Sequence, residues 1–249
     1  AAIRLVLPLL PALAASSPIL DGRCNGLLDN RLRAYQQNQQ KIEILTGSLI
    51  PEAVFTRKDY KQKILQPIYK AIAPFDPDGI LQYEWLNSRG AIARFDRNAI
   101  EIRLLDVQEC PAADLAIVEL ICAVLKALVD ERWCSYADQK SWSESVLAKW
   151  LFAAVDDGER ALIDDARYLS LFGLTCQKAT MGELCQHLAA TLRPNLIAQS
   201  GLPLEVILNK GPLARRIISS TGTSPSRQQL GETYARLCDC LARGEMYDG

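Results

Sequence analysis

The chain of 249 residues has little histidine, little net charge and no paired-cysteine motif: it carries one histidine, a net charge of −1 and no CxxC. A single imidazole without a CxxC pair lacks the spacing of a zinc site. The near-zero charge and the lack of a lysine or arginine run exclude a broad phosphate-tracking surface. Because the aromatic residues are also scattered singly, we expect no nucleic acid partner.

The familiar nucleotide-binding loops are missing as well, since the sequence contains no GxxxxGK[ST], no GxGxxG and no kinase HRD. The opening stretch AAIRLVLPLLPALAASS imitates a secretory signal, but Pro8 and Pro11 interrupt it and it is too short to span a membrane. We expect no membrane partner. A chain that starts with Ala inside an apolar helix predicts an amino-terminally truncated catalytic domain rather than a signal peptide.

The eight cysteines leave two interpretations open. An even number suits a secreted disulfide protein, but the chain is long and rich in apolar residues, which favours reduced thiols and a cytoplasmic location. Cys185 and His187 lie two residues apart and form at most a weak metal pair. We favour a helix-packed thiol beside a surface or capped imidazole.

The pattern of apolar residues predicts an α+β protein with a small antiparallel sheet followed by a helix-rich carboxyl half. We expect a single domain over 1–249, with a loop, helix and sheet part (1–110) and a helical part (111–249). Alternation predicts strands in ILQYEWLN (80–87) and AIEIRLLD (99–106), joined by GAIARFDR (90–97). The helices are expected at 1–15 (bent at its prolines), 28–40, 56–73, 112–133, 141–154, 158–165, 180–193, 202–209 and 226–243.

The second predicted strand carries the charges that suggest chemistry. Glu101 and Arg103 lie two residues apart and therefore share a face, and Arg89, Arg94 and Arg97 precede them. An amphipathic strand with one solvated face and a weak ion pair is the structural alternative. Arginine forks suit phosphate oxygens, and a lone carboxylate among them suits Mg²⁺ held together with phosphate. The cluster therefore suggests phosphoryl transfer from ATP.

Several stretches, LPALAASSPILDGR, NSRGAIARFDR and above all IEIRLLDVQECP, resemble the carboxyl-terminal portion of the glutamate–cysteine ligase family, in its bacterial carboxylate–amine ligase branch. The resemblance runs from residue 1 to about residue 135. It implies a glutamine synthetase-like fold and ATP-dependent formation of a γ-glutamyl amide through an acyl phosphate. The implied substrates are glutamate and cysteine or another amine, with ATP and Mg²⁺ as cofactors.

The resemblance also implies roles for particular residues. Glu101 is the expected metal ligand and Arg103 the catalytic, phosphate-binding arginine, with Arg94 and Arg97 as further members of the phosphate cluster. Arg23, in the DGR loop, is a candidate ligand for a substrate α-carboxylate; a loop arginine that bonds nearby carbonyls is the alternative.

Family members carry further metal-binding glutamates on strands that this sequence lacks. One strand glutamate cannot fill two Mg²⁺ coordination shells, so we expect the 249 residues alone to be inactive. A helical interaction or regulatory module without chemistry, working through 112–243, is the alternative function.

Overall fold

The structure is a computed structural model that describes residues 1–196 and 201–249. Helices make up most of it, and short antiparallel strand pairs lie between them, so the predicted α+β class is confirmed. The strands form the pairs β1 (Ile19–Leu20) with β2 (Arg23–Cys24), β3 (Ala91–Arg94) with β4 (Ala99–Ile102), and β5 (Leu162–Ile163) with β6 (Ala179–Thr180). The α-helices are α1 (Ala2–Val6), α2 (Leu10–Ala14), α3 (Asn30–Gln37), α4 (Arg57–Tyr60), α5 (Gln66–Ile72), α6 (Pro111–Val129), α7 (Tyr136–Lys140), α8 (Glu144–Asp157), α9 (Ala166–Ser170), α10 (Met181–Leu192), α11 (Gly201–Lys210), α12 (Leu213–Thr221) and α13 (Arg227–Arg243).

The first helical stretch is broken where its prolines predict. Helix α1 passes into a 3₁₀ turn, Leu7–Leu9, and then into α2, with a proline near the start of each new segment. Proline removes an amide donor and crowds the preceding turn, so the α-helical ladder cannot continue through it. Nearly every side chain of this stretch is buried, and the segment forms the centre of the main core.

Helices α6, α8 and α10 pack around that segment. Helix α8 is centred on Trp150, which lies 4.3 Å, ring centre to ring centre, from Tyr168. The Tyr168 hydroxyl donates to the Leu5 carbonyl at 2.6 Å, so this buried phenol is satisfied and ties α9 to the amino-terminal segment. No helix in the described part of the chain is both long and apolar enough to cross a bilayer.

The long helix predicted at 112–133 is confirmed as α6, and Thr56 caps the 57–72 helical stretch by accepting from the Asp59 amide. That stretch contains a π-helical turn, Lys61–Leu65, just before Pro67. The wider turn accommodates a proline that cannot donate to the ladder.

The strand predicted at 80–87 is wrong. The Asp76 carboxylate accepts from the Ile80 and Leu81 amides at 2.8 and 2.9 Å, which holds the backbone in a turn, and a 3₁₀ turn, Glu84–Leu86, follows. Side-chain capping of this kind competes with strand pairing. The partner of β4 is β3 instead, inside the segment that was expected only to join two strands.

The helix predicted at 158–165 is wrong too. Gly158 has φ +56°, which ends α8, and only a 3₁₀ turn follows, Gly158–Arg160. Leu162 and Ile163 then pair with β6. The apolar residues there serve a two-residue strand, which is too short to give a period in the sequence. Helix α12 was not predicted.

A buried ion pair fastens the carboxyl terminus to the core. The Arg216 guanidinium, on α12, donates to the Glu109 carboxylate and to the Tyr247 carbonyl. The Tyr247 amide donates back to Glu109 at 3.2 Å, and its ring is buried. Because the Arg216 and Glu109 side chains are at most 1% exposed, water does not stabilise either charge, and each is stabilised by the other.

Replacing Glu109 by alanine should therefore leave a buried, unpaired guanidinium. We expect Glu109→Ala to lower the free energy of unfolding by about 3–5 kcal/mol, the usual cost of breaking a buried pair from one side. Urea unfolding at neutral pH measures this change.

The matched control is Glu245→Ala, which removes a glutamate whose side chain is 63% exposed and lies 4.0 Å from Arg243. Exposed pairs contribute at most about 1 kcal/mol. Equal unfolding midpoints for the two variants would show that Glu109 contributes no more to stability than an exposed glutamate does.

Candidate functional site

The site is built on the β3–β4 hairpin. Ala91 pairs with Ile102 and Arg94 with Ala99, so a four-residue turn, 95–98, joins the strands. Asn98 takes φ +49° in that turn, a left-handed conformation that asparagine tolerates better than most residues. The pairing sets Glu101 opposite Ile92 and next to the arginine that ends β3.

Glu101 lies between two arginines. Its Oε1 accepts from Arg103 Nε at 2.8 Å and its Oε2 from Arg94 Nη1 at 2.8 Å. The Glu101 side chain is 40% exposed, whereas the Arg94 and Arg103 side chains are only 16% and 19% exposed. The hydrogen bonds from Arg103, and then from Arg94, hold the pKa of the Glu101 carboxyl below its usual range. The carboxylate is therefore ionised and still reachable from solvent.

Further contacts fix the two guanidinium groups. Arg103 Nη1 donates to the Asn87 carbonyl at 2.8 Å and to the Trp85 carbonyl at 3.4 Å. Arg94 also bonds Asp96, whose carboxyl pKa is lowered mainly by that bond. Sequence reasoning missed the 84–87 segment as part of this site because it was interpreted as a strand.

Glu84 is a further residue that the sequence did not reveal. Its carboxylate accepts from the Phe95 amide at 2.9 Å and lies 4.0 Å from Arg94 Nε. The bond holds the beginning of the hairpin turn against the 84–87 segment. No spacing rule in the sequence links residues 84 and 95.

The structure brings together Glu101, Arg103 and Arg94 of the residues selected from the sequence, and it leaves Arg97 at the rim. Arg97 lies on the turn, has a 70% exposed side chain and lies 3.6 Å from Asp96. Arg23 is exposed on β2, which is outside the Glu101 cluster. It follows a two-residue turn, Asp21-Gly22, whose φ values of +50° and +76° are those of a tight hairpin.

Arg89 was counted with the charged cluster, but it is a structural residue. It is 2% exposed, it donates two hydrogen bonds to Glu52, and it reaches the Ile44 carbonyl and the Asn87 side chain. Glu52 lies far away in the sequence, so the counting of charges near residue 89 did not include its partner.

Close packing explains how Arg103 is held in register beyond the end of β4. Its amide donates to the Gly90 carbonyl at 2.8 Å. Leu104, fully buried, packs directly on Gly90: a Cβ at residue 90 would lie 2.8 Å from its side-chain carbons. Only glycine permits this approach, so the core sets the position of the arginine.

The loop that carries Arg23 is tied to the segment that follows β4. Ser17 Oγ donates to Asp106 at 2.9 Å and lies 3.4 Å from Asp29 Oδ1. Arg31 bonds the Leu104 carbonyl at 2.7 Å and lies 3.1 Å from Asp106. Asp29 is fully buried and caps α3 by accepting from Leu32.

Two features bear on metal binding. Within residues 1–196 and 201–249 no group of three or more His, Cys, Asp or Glu side chains is placed to hold a metal ion. Cys185 is buried, with its thiol pKa raised to about 12 by burial, and His187 contacts the Phe172 carbonyl at 3.1 Å. This pair is therefore part of the packing of α10, as favoured from the sequence. All eight cysteines are free.

Comparison with known proteins places this chain in a family of ligases. The chain belongs to Glutamate-cysteine ligase family 2, whose model matches residues 1–238. The match covers the helical half, where the resemblance in the sequence was too weak to follow. A protein of Archaeoglobus fulgidus described as "Uncharacterized protein" is 32% identical over 187 residues, which are 73% of this chain and 50% of that protein. The chain thus spans about half of the length of that relative.

The buried carboxyl of Asp29, at the end of the loop that carries Arg23, allows a test of the electrostatics of that loop. Burial raises the pKa of its carboxyl to about 6, above the unfolded value of about 4. Between pH about 4 and pH about 6 the native state therefore keeps a proton that the unfolded state has lost. The free energy of unfolding falls as pH rises through this window, and the loss is complete above about pH 6. Asparagine keeps the capping oxygen but cannot ionise.

We expect Asp29→Asn to gain stability relative to the wild type as pH rises through that window, by at most about 3 kcal/mol, and then to stay level. Urea unfolding of both proteins from pH 4 to pH 8 measures the difference. If the difference in free energy of unfolding between the two proteins does not change with pH, the pKa of Asp29 is not raised in the native state.

Proposed function

We propose that this chain is part of an ATP-dependent carboxylate–amine ligase that forms a γ-glutamyl amide bond. The observation that carries the proposal is the partly exposed Glu101 carboxylate held between the Arg94 and Arg103 guanidinium groups at 2.8 Å each. Two preorganised guanidinium forks suit the oxygens of a transferred phosphoryl group. Membership of Glutamate-cysteine ligase family 2 supports the same reaction class.

In the proposed reaction, an oxygen of the glutamate γ-carboxylate attacks the terminal phosphorus of ATP. The bond from that phosphorus to the bridging oxygen breaks, which releases ADP and leaves an acyl phosphate. The amine of cysteine, or of another acceptor, then attacks the acyl carbon; phosphate departs and the amine loses its proton. Arg103 and Arg94 would neutralise charge on the phosphoryl oxygens during the first step.

The residues present fit a magnesium ion only in a limited way. Mg²⁺ is commonly held by one or two carboxylates together with phosphate oxygens, and Glu101 supplies one such carboxylate. It would hold an ion that arrives with the nucleotide, and that ion would screen phosphate charge when bound. Because the described part of the chain brings no three ligands together, we expect no amine-dependent phosphate release from these 249 residues alone.

We propose a glutamine synthetase-like arrangement in which β3 and β4 belong to the active-site sheet and 1–249 forms one domain. Arg23 remains the proposed ligand for a substrate α-carboxylate, and Arg97 a peripheral member of the phosphate cluster. The free thiols fit a reducing, cytoplasmic setting.

Nucleotide binding by the 249-residue chain tests the proposal. We expect calorimetry to detect binding of ATP with Mg²⁺, and Arg103→Lys to weaken it about tenfold or more, because lysine loses the fork and its charge-assisted bonds. Glu101→Gln should weaken binding in Mg²⁺ by a similar factor. In EDTA the same variant should bind ATP at least as well as the wild type, since it removes a negative charge.

Glu205→Gln is the matched control, because Glu205 lies on α11 with a 59% exposed side chain. It should bind ATP like the wild type in both conditions. If Glu101→Gln keeps the magnesium dependence of the wild type, Glu101 is not the metal ligand. If the wild type binds no ATP at all, the ligase proposal fails for this site.

One observation favours the second candidate, a non-catalytic interaction module. Helix α6 leaves an apolar stripe at alternating three- and four-residue spacing on its outer side, with Leu115 64% and Val129 71% exposed and Val118, Cys122 and Leu125 between them. Such a stripe is typical of a helix that packs against a partner. Unchanged nucleotide binding in both Arg103→Lys and Glu101→Gln would favour this candidate over the ligase.

A further inference from the structure

The uncovered face of helix α6 carries a continuous apolar stripe. Its members are Leu115, Val118, Cys122, Leu125 and Val129. The two ends and the centre of the stripe are exposed, and only Leu125 is half-buried. Alternating steps of three and four residues are the pattern by which two helices pack along each other.

The stripe belongs to a helix that is firmly held from the other side. The inner face of α6, which includes Ile117, Leu120 and Val124, is buried in the main core. There α6 packs against α1, α10 and α11. Because the helix cannot rotate without exposing that core, a cover for the outer stripe must come from outside this fold.

The centre of the stripe suits contact with an identical helix. Cys122 is its middle residue, since Leu115 and Val129 lie at equal distances along the sequence. In a dimer with a two-fold axis, both copies use the same surface. The middle residue of a helix that crosses its own copy lies next to that axis. Cys122 would therefore lie close to the Cys122 of the second copy.

The charges beside the stripe set the orientation of such a pair. Asp114 lies on one flank of the stripe, and Glu119 and Lys126 lie on the other. In an antiparallel pair like flanks meet, and Lys126 of one copy comes level with Glu119 of the other to within about 1.5 Å along the axis. In a parallel pair unlike flanks meet, which brings Asp114 toward Glu119 of the other copy. Two carboxylates repel each other, so the charges favour the antiparallel pair.

Lys126 can take part in this contact at little cost. Its side chain is 74% exposed and its amine lies 2.7 Å from Asp130, one turn further along the same helix. An exposed pair of this kind contributes little to stability. The amine can therefore exchange Asp130 for a carboxylate of the second copy.

We propose that two copies of this chain associate through α6, with their outer stripes packed antiparallel across a two-fold axis at Cys122. Neither a nucleotide nor the charged hairpin takes part, so the dimer goes beyond the proposed function and does not depend on it. A single pair of helices makes a small interface, and we expect micromolar rather than nanomolar association.

Sedimentation equilibrium of the 249-residue chain over a micromolar range of concentration tests the dimer. We expect the mass to rise toward twice the 27.6 kDa of one chain. Cys122→Asp places two carboxylates beside the axis and should weaken association at least tenfold. Cys122→Ser introduces no charge at the same position and should associate nearly as well as the wild type. Leu241→Asp, which changes a 59% exposed leucine on α13, should also dimerise normally.

Thiol crosslinking with a short bis-maleimide tests the orientation. The wild type should crosslink through Cys122, and Cys122→Ser should not, although Cys238 is exposed as well. In the Cys122→Ser background, Leu115→Cys combined with Val129→Cys should restore the crosslink, because an antiparallel pair brings position 115 of one copy beside position 129 of the other. Either substitution alone should not restore it.

Each contrary result has a definite meaning. A wild-type chain that stays monomeric over the whole range would overturn the second copy as the partner and leave the stripe to another protein segment. A dimer that Cys122→Asp leaves intact would place the contact on a different surface. A crosslink formed by Leu115→Cys alone would show a parallel pair. A chain that dimerises as expected but binds no ATP would overturn the proposed function and leave the dimer standing.

Discussion

The charged hairpin depends on its close contact with the apolar core through the backbone that follows β4. The Arg103 amide bonds the Gly90 carbonyl, and Leu104 packs where any side chain at residue 90 would collide with it. A few residues later, Asp106 holds the loop that bears the DGR turn, and Glu109 holds the carboxyl terminus. One short segment therefore carries the phosphate-binding candidate at its start and a buried ion pair at its end. Because core packing is rigid and dense, these contacts fix the backbone of Arg103 and so the position of its guanidinium group.

The arginines near the hairpin divide into two kinds by what surrounds them. Arg89 is buried, and its guanidinium donates hydrogen bonds to Glu52 and to the Ile44 carbonyl. Arg94 and Arg103 share one carboxylate that remains 40% exposed. A buried arginine with its own partner stabilises the fold only as long as the pair is intact, whereas a shared, solvent-accessible carboxylate can exchange its partners at lower cost. Exposure of the acid, rather than the number of arginines, therefore marks the site.

Sequence patterns found β4 because Ile100 and Ile102 alternate with charged residues, and they placed Glu101 and Arg103 on one face correctly. They assigned the wrong partner strand, because the Asp76 carboxylate caps the backbone at Ile80 and Leu81 and overrides the alternation at 80–87. The true partner, β3, has only four residues, and two of them are alanine. They also grouped Arg94 with Arg97, although one ends a strand and the other lies on the turn. The contacts that no local pattern encodes are the long-range ones, such as Glu109 with Arg216. Family resemblance supplied the ligase class but not these tertiary partners.

The pairing of Glu101 with two arginines also constrains how a nucleotide would enter. With every charge of the trio already hydrogen-bonded, binding must replace the bonds to Glu101 with bonds to phosphate, while the freed carboxylate takes up the cation. Neither exchange is favourable alone, because each leaves one partner unpaired in a partly desolvated place. Done together, they keep all charges compensated. Under the proposed function, the arrangement would couple phosphate binding at the arginines to cation binding at the glutamate, and it would favour the magnesium complex of a nucleotide over either component by itself.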